Sequence, residues 1–248
     1  MTTGKRDAIR AQRTKKKRQQ RMNTLLWIGG IILFLVLLMA SPAIYNAVKP
    51  AGAFVEITPQ AYPMAEGKGF GDPNAPVKIE VYEDFQCPSC ANYSETTEYQ
   101  LVNSSYVTEG QVYYEYMHYP FIDTNSVTKE SHQAANASMC ALEQGRFWDY
   151  HDMIYANQGT VENGGALNDK RLEAFAESLG LDMTAFNQCF SENKYFEEIE
   201  TEFQKGQSLG VTGTPTVFVN GLILSPKYVP TYEQLQAAIE SALAASDS

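Results

Sequence analysis

The feature that most constrains the fold is a pair of cysteines, Cys87 and Cys90, at a predicted junction between a strand and a helix. Residues 77–82 predict a buried strand, and residues 88 to about 104 predict a helix. Pro88 can begin this helix, because the N–H group that proline lacks would have no hydrogen-bond partner in the first turn. A sulfur at a helix start meets unpaired N–H groups and a positive dipole end, which favour the thiolate. This stretch therefore predicts thiol–disulfide exchange, with Cys87 forming the mixed disulfide and the deeper Cys90 resolving it.

The N-terminal region differs sharply in charge from the rest of the chain. Residues 1–21 hold nine Lys and Arg against Asp7 alone, so the net charge of −10 for the whole chain leaves −18 elsewhere. A basic tail could indicate nucleic-acid binding, but the uncharged run 25–45 argues against it. As a helix this run spans about 31 Å, enough to cross a bilayer, with Trp27 and Tyr45 near its ends. We therefore predict a membrane partner and no nucleic acid.

The direction of membrane insertion follows from the basic residues. Positive charge stays on the cytoplasmic side, which predicts a cytoplasmic tail over 1–24, a signal-anchor helix over 25–45 and an extracytoplasmic remainder. A cleavable signal peptide is the alternative, although residues 41–43 make a poor cleavage site and the apolar run is long. Residues 46–75, interrupted by Pro and Gly, predict a linker in which a short strand over 53–57 can form.

Residues 76–248 predict one α/β domain. A second strand over 111–119 is rich in aromatic residues, and residues 128–209 show apolar residues at helical spacing. Asn220-Gly221, between two short apolar runs, is a strong hairpin signal, and a helix over 232–244 ends the chain. This order is typical of a thioredoxin-like fold with an all-helical insertion over residues 125 to 209.

Three motifs carry a resemblance to a known family. Residues 84–90, Asp-Phe-Gln-Cys-Pro-Ser-Cys, resemble the active-site motif of DsbA-like thiol–disulfide oxidoreductases. Residues 210–221 are similar to the cis-proline segment of that family, and residues 140–152 resemble the insertion of its membrane-anchored and Gram-positive members. The resemblance covers residues 72 to 245. It implies a cis Thr214–Pro215 bond against the cysteines, with the Thr214 backbone presented to an extended substrate strand.

The residues around the cysteines support this assignment, with one departure. Pro88 and Ser89 set the hydrogen-bond donors around the Cys87 sulfur, either through the Ser89 side chain or through nearby N–H groups. Many family members have a buried acid six residues before the first cysteine. Here that position is Val81, with Glu80 and Glu83 as the neighbouring acids, so the group that takes this role is left open.

The other two cysteines, Cys140 and Cys189, predict a structural disulfide, because an even cysteine count outside the membrane favours pairing. Two free buried thiols and a second redox pair are the alternatives. Cys87 and Cys90 could form half of a zinc site, but the remaining cysteines are isolated and the histidines lack metal spacing. Haem attachment needs His after the second cysteine, where the chain has Ala91. We therefore predict no metal and no cofactor.

Together these features predict a membrane-anchored extracytoplasmic oxidoreductase that introduces disulfides into exported proteins through Cys87 and Cys90. The resemblance implies reduced or unfolded exported proteins as substrates, and a DsbB-like or vitamin K epoxide reductase-like membrane partner that restores the disulfide. A reductase or isomerase of the same fold is an alternative that Pro88 and Ser89 do not exclude. A non-catalytic binding ectodomain is a further alternative, although a scaffold needs neither the cysteine pair nor Pro215.

Overall fold

The computed structural model describes residues 3–48, 50–224 and 229–246, which divide into one unit up to residue 50 and another from residue 51. The first unit contains one long helix, α1 (Thr3–Val48). Within it, Lys15–Leu38 is a candidate membrane span of 24 residues that contains an 18-residue window with a mean hydropathy of 1.9, long and apolar enough to cross a membrane. This stretch overlaps the predicted span 25–45 and has its side chains exposed.

The second unit is built on one five-stranded sheet with the order β1-β3-β2-β4-β5. The strands are β1 (Gly69–Gly71), β2 (Val77–Glu83), β3 (Val112–His118), β4 (Thr216–Val219) and β5 (Leu222–Ile223). Strands β2 and β3 are parallel, while the other neighbouring pairs are antiparallel. Strand β2 lies between β3 and β4, and its apolar side chains are buried, as expected of a central strand covered on both faces.

Two groups of helices connect the strands of this sheet, and one further helix follows the last strand. The crossover from β2 to β3 contains α2 (Pro88–Tyr93), a π-helical turn (Ser94–Glu98), α3 (Tyr99–Val102) and α4 (Ser105–Thr108). Between β3 and β4 lie a 3₁₀ turn (Phe121–Asn125), α5 (Glu130–Leu142), α6 (Phe147–Ala156), α7 (Asp169–Ser178), α8 (Met183–Ser191) and α9 (Phe196–Ser208). Helix α10 (Tyr232–Ser246) follows the hairpin. The predicted thioredoxin-like fold with a helical insertion is confirmed.

The region expected to be a linker is largely part of the second unit. Asn157 pairs with the Val55 backbone, accepting from its N–H at 2.7 Å and donating to its carbonyl at 2.9 Å. The ring of Phe54 lies 5.2 Å from that of Phe175, and residues 53–57 form no strand. Strand β1, also inside the expected linker, pairs with β3. The domain therefore begins near residue 51 rather than residue 76.

The glycines of β1 explain why the sequence suggested a linker. A Cβ on Gly69 would displace the Tyr113 side chain, and a Cβ on Gly71 would come within 2.2 Å of the Val112 carbonyl oxygen, so the close approach of β1 to the β3 backbone needs glycine at position 71. Gly71 has a φ of +87°, a conformation that L side chains rarely adopt. These glycines serve backbone contact within a sheet, whereas their spacing among prolines suggested an irregular tether.

Helices α5 and α8 are joined by a disulfide between Cys140 and Cys189, whose Cα atoms are 5.8 Å apart. Both cysteines are buried, and the bridge closes a loop with a sequence separation of 49 residues. Closing a loop of this length restricts the unfolded chain far more than the folded one. The bridge therefore holds the helical insertion together.

Replacing both Cys140 and Cys189 by Ala is expected to lower the free energy of unfolding by about 4 kcal/mol, the loop-entropy value for this separation. Urea unfolding followed by circular dichroism measures the change. Thiol exchange at Cys87 should persist in the folded variant, because that site lies on a different helix. An unchanged urea midpoint would show that the bridge adds no stability.

Candidate active site

The two remaining cysteines lie at the start of helix α2, directly after β2. Cys87 is the N-cap residue in an extended conformation, with Pro88 at the first helical position. Its carbonyl accepts from the N–H groups of Cys90 at 3.0 Å and Ala91 at 3.2 Å. Cys87 is half-buried and Cys90 is fully buried, and both are free thiols. The first sulfur is thus accessible to another protein and the second is enclosed.

The surroundings of Cys87 stabilise its thiolate. Its pKa is lowered to about 6, chiefly by a hydrogen bond from the Cys90 thiol. The Thr214 side chain and the N–H groups of Ser89 and Cys90 lower the pKa further, whereas burial raises it. As a thiol, Cys87 lies 3.3 Å from the Thr214 carbonyl oxygen and donates to it. The Thr214–Pro215 peptide bond is cis. The Cys87 sulfur thus interacts with the Ser89 N–H and with Thr214, while Pro88 follows it directly in the chain and Pro215 follows Thr214 through the cis bond.

Cys90 has the opposite character. Its pKa is raised well above the usual value by burial, by its hydrogen bond to Cys87 and by the negative charge of Glu83. The pair therefore combines a nucleophilic thiolate with a thiol that holds its proton. In the disulfide form, this arrangement allows a thiolate of another molecule to attack the accessible Cys87 sulfur. The Cys90 sulfur that is released then takes up a proton inside the protein.

The structure distinguishes between the two acids near Val81, which itself is buried in the core. Glu80 is partly exposed and forms an ion pair with Lys205 at 2.7 Å. Glu83 is only 1% exposed, and its carboxylate accepts from the hydroxyls of Tyr114 at 3.1 Å and Tyr155 at 2.9 Å.

Burial and the charge of nearby Glu98 raise the pKa of Glu83 well above its usual range. The charge of Glu83 in turn raises the pKa of Cys90. Of Glu80 and Glu83, it is therefore Glu83 that acts on the buried cysteine.

A polar cluster that sequence reasoning missed fixes the loop before Cys87. Asp84 accepts from the N–H of Gln86 at 2.8 Å, the N–H of Ile122 at 2.9 Å and the hydroxyl of Ser131 at 2.7 Å. Burial raises the pKa of Asp84 to about 7 despite these donors. The cluster connects the active-site loop to the 3₁₀ turn and to helix α5, so the insertion supports the site directly.

The insertion supports the same loop from a second side. The side-chain amide of Gln158, just after α6, donates to the carbonyls of Phe85 at 2.7 Å and Cys87 at 3.0 Å. The side chain of Gln86 accepts from the N–H of Asn163 at 2.6 Å. Polar residues in loops gave no periodic signal in the sequence, which is why these contacts were not predicted. Among the residues that the structure describes, no cluster of three or more His, Cys, Asp or Glu could hold a metal ion.

Comparison with known proteins places this site in a family. The family model described as thioredoxin matches residues 65–241. The "probable disulfide bond formation protein D" of Bacillus anthracis is 25% identical over 225 residues, covering 89% of this chain and 97% of that protein. The Na(+)/H(+) antiporter NhaA 3 of Salinispora tropica is 31% identical over 176 residues, or 71% of this chain. The chain spans only 24% of that antiporter's length.

Solved structures agree with the sequence matches on the fold. Oxidised BdbD from Bacillus subtilis aligns with a TM-score of 0.62 at 20% identity, covering 78% of this chain and 100% of that structure. The alpha-DsbA1 structure from Wolbachia pipientis aligns with a TM-score of 0.60 at 21% identity, covering 74% and 94%. The chain therefore belongs to the thioredoxin family and, within it, to the DsbA-like thiol–disulfide oxidoreductases.

Proposed function

We propose that the protein is a membrane-anchored oxidase that donates a Cys87–Cys90 disulfide to reduced proteins exported across the membrane. The observation that carries the proposal is the contrast between the two sulfurs. The pKa of Cys87 is lowered to about 6, whereas that of Cys90 is raised. Because a stabilised thiolate favours the reduced pair, the disulfide of this pair is more oxidising than one formed by two unperturbed thiols.

The proposed reaction proceeds in two exchanges. A substrate thiolate attacks the Cys87 sulfur, the Cys87–Cys90 bond breaks, and Cys90 leaves with the electron pair and takes up a proton. A second substrate thiolate then attacks the substrate sulfur of the mixed disulfide, and Cys87 leaves as the stabilised thiolate. The substrate gains one disulfide and the protein ends with both cysteines reduced. Thr214 and Pro215, next to Cys87, offer backbone to an extended substrate strand.

Continued turnover requires another protein to remove the two electrons. We propose a membrane partner of the DsbB-like or vitamin K epoxide reductase-like class, which reforms the Cys87–Cys90 disulfide. The name of the Bacillus anthracis relative, a probable disulfide bond formation protein, supports net disulfide formation as the direction.

We further propose that α1 anchors the chain with residues 1–24 in the cytoplasm and the catalytic unit outside. The support is the candidate span Lys15–Leu38, which carries no charge after Arg21, together with the nine Lys and Arg that lie within residues 1–21. Basic residues remain on the cytoplasmic side of a spanning helix. An exposed position outside the cytoplasm also suits an oxidising disulfide, because cytosolic thiols are kept reduced.

Sealed membrane vesicles containing the oxidised full-length protein test both parts of this proposal. The probe is a reduced, unfolded peptide with two cysteines that cannot cross the membrane, and its thiols are titrated over time. We expect thiol loss with right-side-out vesicles and with detergent-solubilised protein, but not with sealed inverted vesicles. No thiol loss in detergent would refute the oxidase activity, whereas loss with inverted vesicles alone would refute only the orientation.

A further inference from the structure

A second buried carboxylate, Glu98, lies on the helix that carries the cysteines. It is fully buried and ends the π-helical turn Ser94–Glu98, a type of turn that is frequent at functional sites. Glu98 follows Cys90 by eight residues, about two helical turns, so both face the protein interior. Burial raises its pKa, while nearby His151 lowers it. The reaction proposed above gives this carboxylate no role.

Glu98 and Glu83 share one tyrosine hydroxyl. The Tyr114 hydroxyl lies 3.1 Å from Glu83 Oε1 and 2.7 Å from Glu98 Oε2. A hydroxyl has one proton and donates to one acceptor at a time, while an ionised carboxylate only accepts. Both contacts are therefore favourable only when one of the two carboxyl groups holds a proton. The three groups form a buried unit that binds a proton at either end.

The same arrangement recurs on the far side of Glu98. The Tyr62 hydroxyl lies 3.3 Å from Glu98 Oε1 and 2.7 Å from Asp152 Oδ1. The His151 ring lies between the same two carboxylates, with Nδ1 3.1 Å from Asp152 Oδ1 and Nε2 3.8 Å from Glu98 Oε1. The Asp152 side chain is 17% exposed, whereas that of Glu98 is 0% exposed. The network thus extends from the protein interior to a group in contact with solvent.

Cys90 needs a route for protons to and from solvent, because its thiol gains or loses a proton in each exchange. The sulfur is fully buried, and a thiol must lose its proton to attack a disulfide. The backbone of Asp84 hydrogen-bonds to the Cys90 sulfur, and Glu83, the preceding residue, is buried and raises the pKa of Cys90 through its charge. A single buried carboxylate can accept one proton but must pass it on before the next turnover. The tyrosine-linked network provides the next acceptors.

We propose that a hydrogen-bonded path conducts the proton of Cys90 between the buried active site and solvent, an inference that rests on the proposed function. The path consists, from inside to outside, of Glu83, Tyr114, Glu98, Tyr62 and Asp152. Each hydroxyl passes its proton to one carboxylate as it receives another from the opposite side. Glu98, Tyr62 and Asp152 act through Glu83 and lie outside the group of residues around the reacting sulfurs.

The step to measure is the closing of the Cys87–Cys90 disulfide after the reduced protein meets oxidised glutathione. The Cys87 thiolate first forms a mixed disulfide and releases one glutathione thiolate. Cys90 then loses its proton to the path and attacks the Cys87 sulfur, and the second glutathione leaves as thiolate with the electron pair. Acid quenching and mass spectrometry count the mixed disulfide and the closed disulfide at each time.

The key variant is Glu98→Gln, which keeps the shape of the side chain but replaces one acceptor oxygen by an NH2 donor and cannot accept a proton at neutral pH. Its first step should match wild type, because Cys87 is unaffected. Its second step should slow on the order of 100-fold, the low end for a positioned acid–base group, so the mixed disulfide accumulates. Glu130→Gln is the matched control, since Glu130 is also buried but binds backbone N–H groups in the insertion.

The outer end of the path gives a signature that a structural role does not produce. Asp152→Asn should also slow the second step, and a high concentration of imidazole buffer should restore it, because Asp152 contacts solvent. Buffer should not restore Glu98→Gln, since Glu98 is enclosed. The hydroxyl test compares Tyr114→Phe, expected to be slow, with Tyr150→Phe, whose hydroxyl binds the Leu172 carbonyl away from the path.

The results separate this proposal from the proposed function. Wild-type protein that forms the mixed disulfide and closes it establishes exchange in the same assay. Second-step rates equal to wild type in folded Asp152→Asn and Tyr114→Phe proteins would overturn the proton path even if Glu98→Gln failed to fold. Equal slowing by Glu130→Gln or Tyr150→Phe would also overturn it, because the effect would then reflect general loosening of the core.

Discussion

Replacing Cys87 by Ser is expected to abolish disulfide transfer to a reduced substrate, leaving only the uncatalysed rate. Cys87 is the only half-buried thiol of the pair, and its pKa near 6 makes it mostly thiolate at neutral pH. A serine hydroxyl at that position cannot form a disulfide. Cys90 cannot substitute for it, because its sulfur is fully buried and its pKa is raised.

Replacing Cys90 by Ser is the matched comparison, because it removes the other sulfur of the same pair. This variant keeps the attacking thiolate but lacks the resolving thiol, so mixed disulfides between Cys87 and added oxidised substrates should persist. Non-reducing gel electrophoresis followed by mass spectrometry identifies the bonded cysteine. If the Cys87→Ser protein retained transfer activity, or if the trapped substrate were bonded to Cys140 or Cys189, the assignment of Cys87 would be wrong.

The reduced protein is expected to gain stability relative to the oxidised protein as pH rises from about 5 to 8. The pKa of Cys87 in the folded reduced state is about 6, below the 9.0 of an unconstrained thiol, chiefly because the Cys90 thiol donates a hydrogen bond to it. Its thiolate therefore contributes stability that is fully present above the unfolded pKa and lost as pH falls through about 6. By linkage the contribution is close to zero at pH 5, about 1 kcal/mol at pH 7 and about 2 to 3 kcal/mol at pH 8.

Urea unfolding of both redox forms across this pH range measures the effect. Asp84, whose pKa is raised to about 7, is present in both forms, so its titration cancels in the difference between them. The ultraviolet absorbance of the thiolate in reduced protein should titrate with a midpoint near 6. A midpoint near 9, with a stability difference independent of pH, would show that the surroundings of Cys87 do not stabilise its thiolate.

Much of the fold was predictable because its signals are local. A buried strand before Cys87, the Asn220-Gly221 turn and the helical spacing of the insertion each depend on neighbouring residues. The domain start was not predictable in this way. Val55 is held by Asn157, about a hundred residues later, and Gly71 is required by its close approach to the Val112 carbonyl oxygen, so neither contact leaves a local pattern.

The candidate site shows the same division. The two reactive cysteines form a compact motif, whereas the carboxylates around them come from separate elements that only the folded chain brings together. Tyr114 connects the end of β2 to the π-helical turn, and Tyr62 reaches the site from the segment expected to be a linker. One signal for Glu98 was present: it lies eight residues after Cys90, on the same helical face. A lone charged residue on a face predicted to be buried indicates a polar network inside.

The redox equilibrium of Cys87 and Cys90, titrated against glutathione in the purified protein, tests the central claim most directly. The account predicts a reduction potential above that of thioredoxin, towards the value of about −120 mV found for strong disulfide donors, because the Cys87 thiolate stabilises the reduced pair. A potential of about −270 mV, where thioredoxin lies, would contradict it. The protein would then be a reductase that receives electrons, and the proposed reoxidising partner would be excluded.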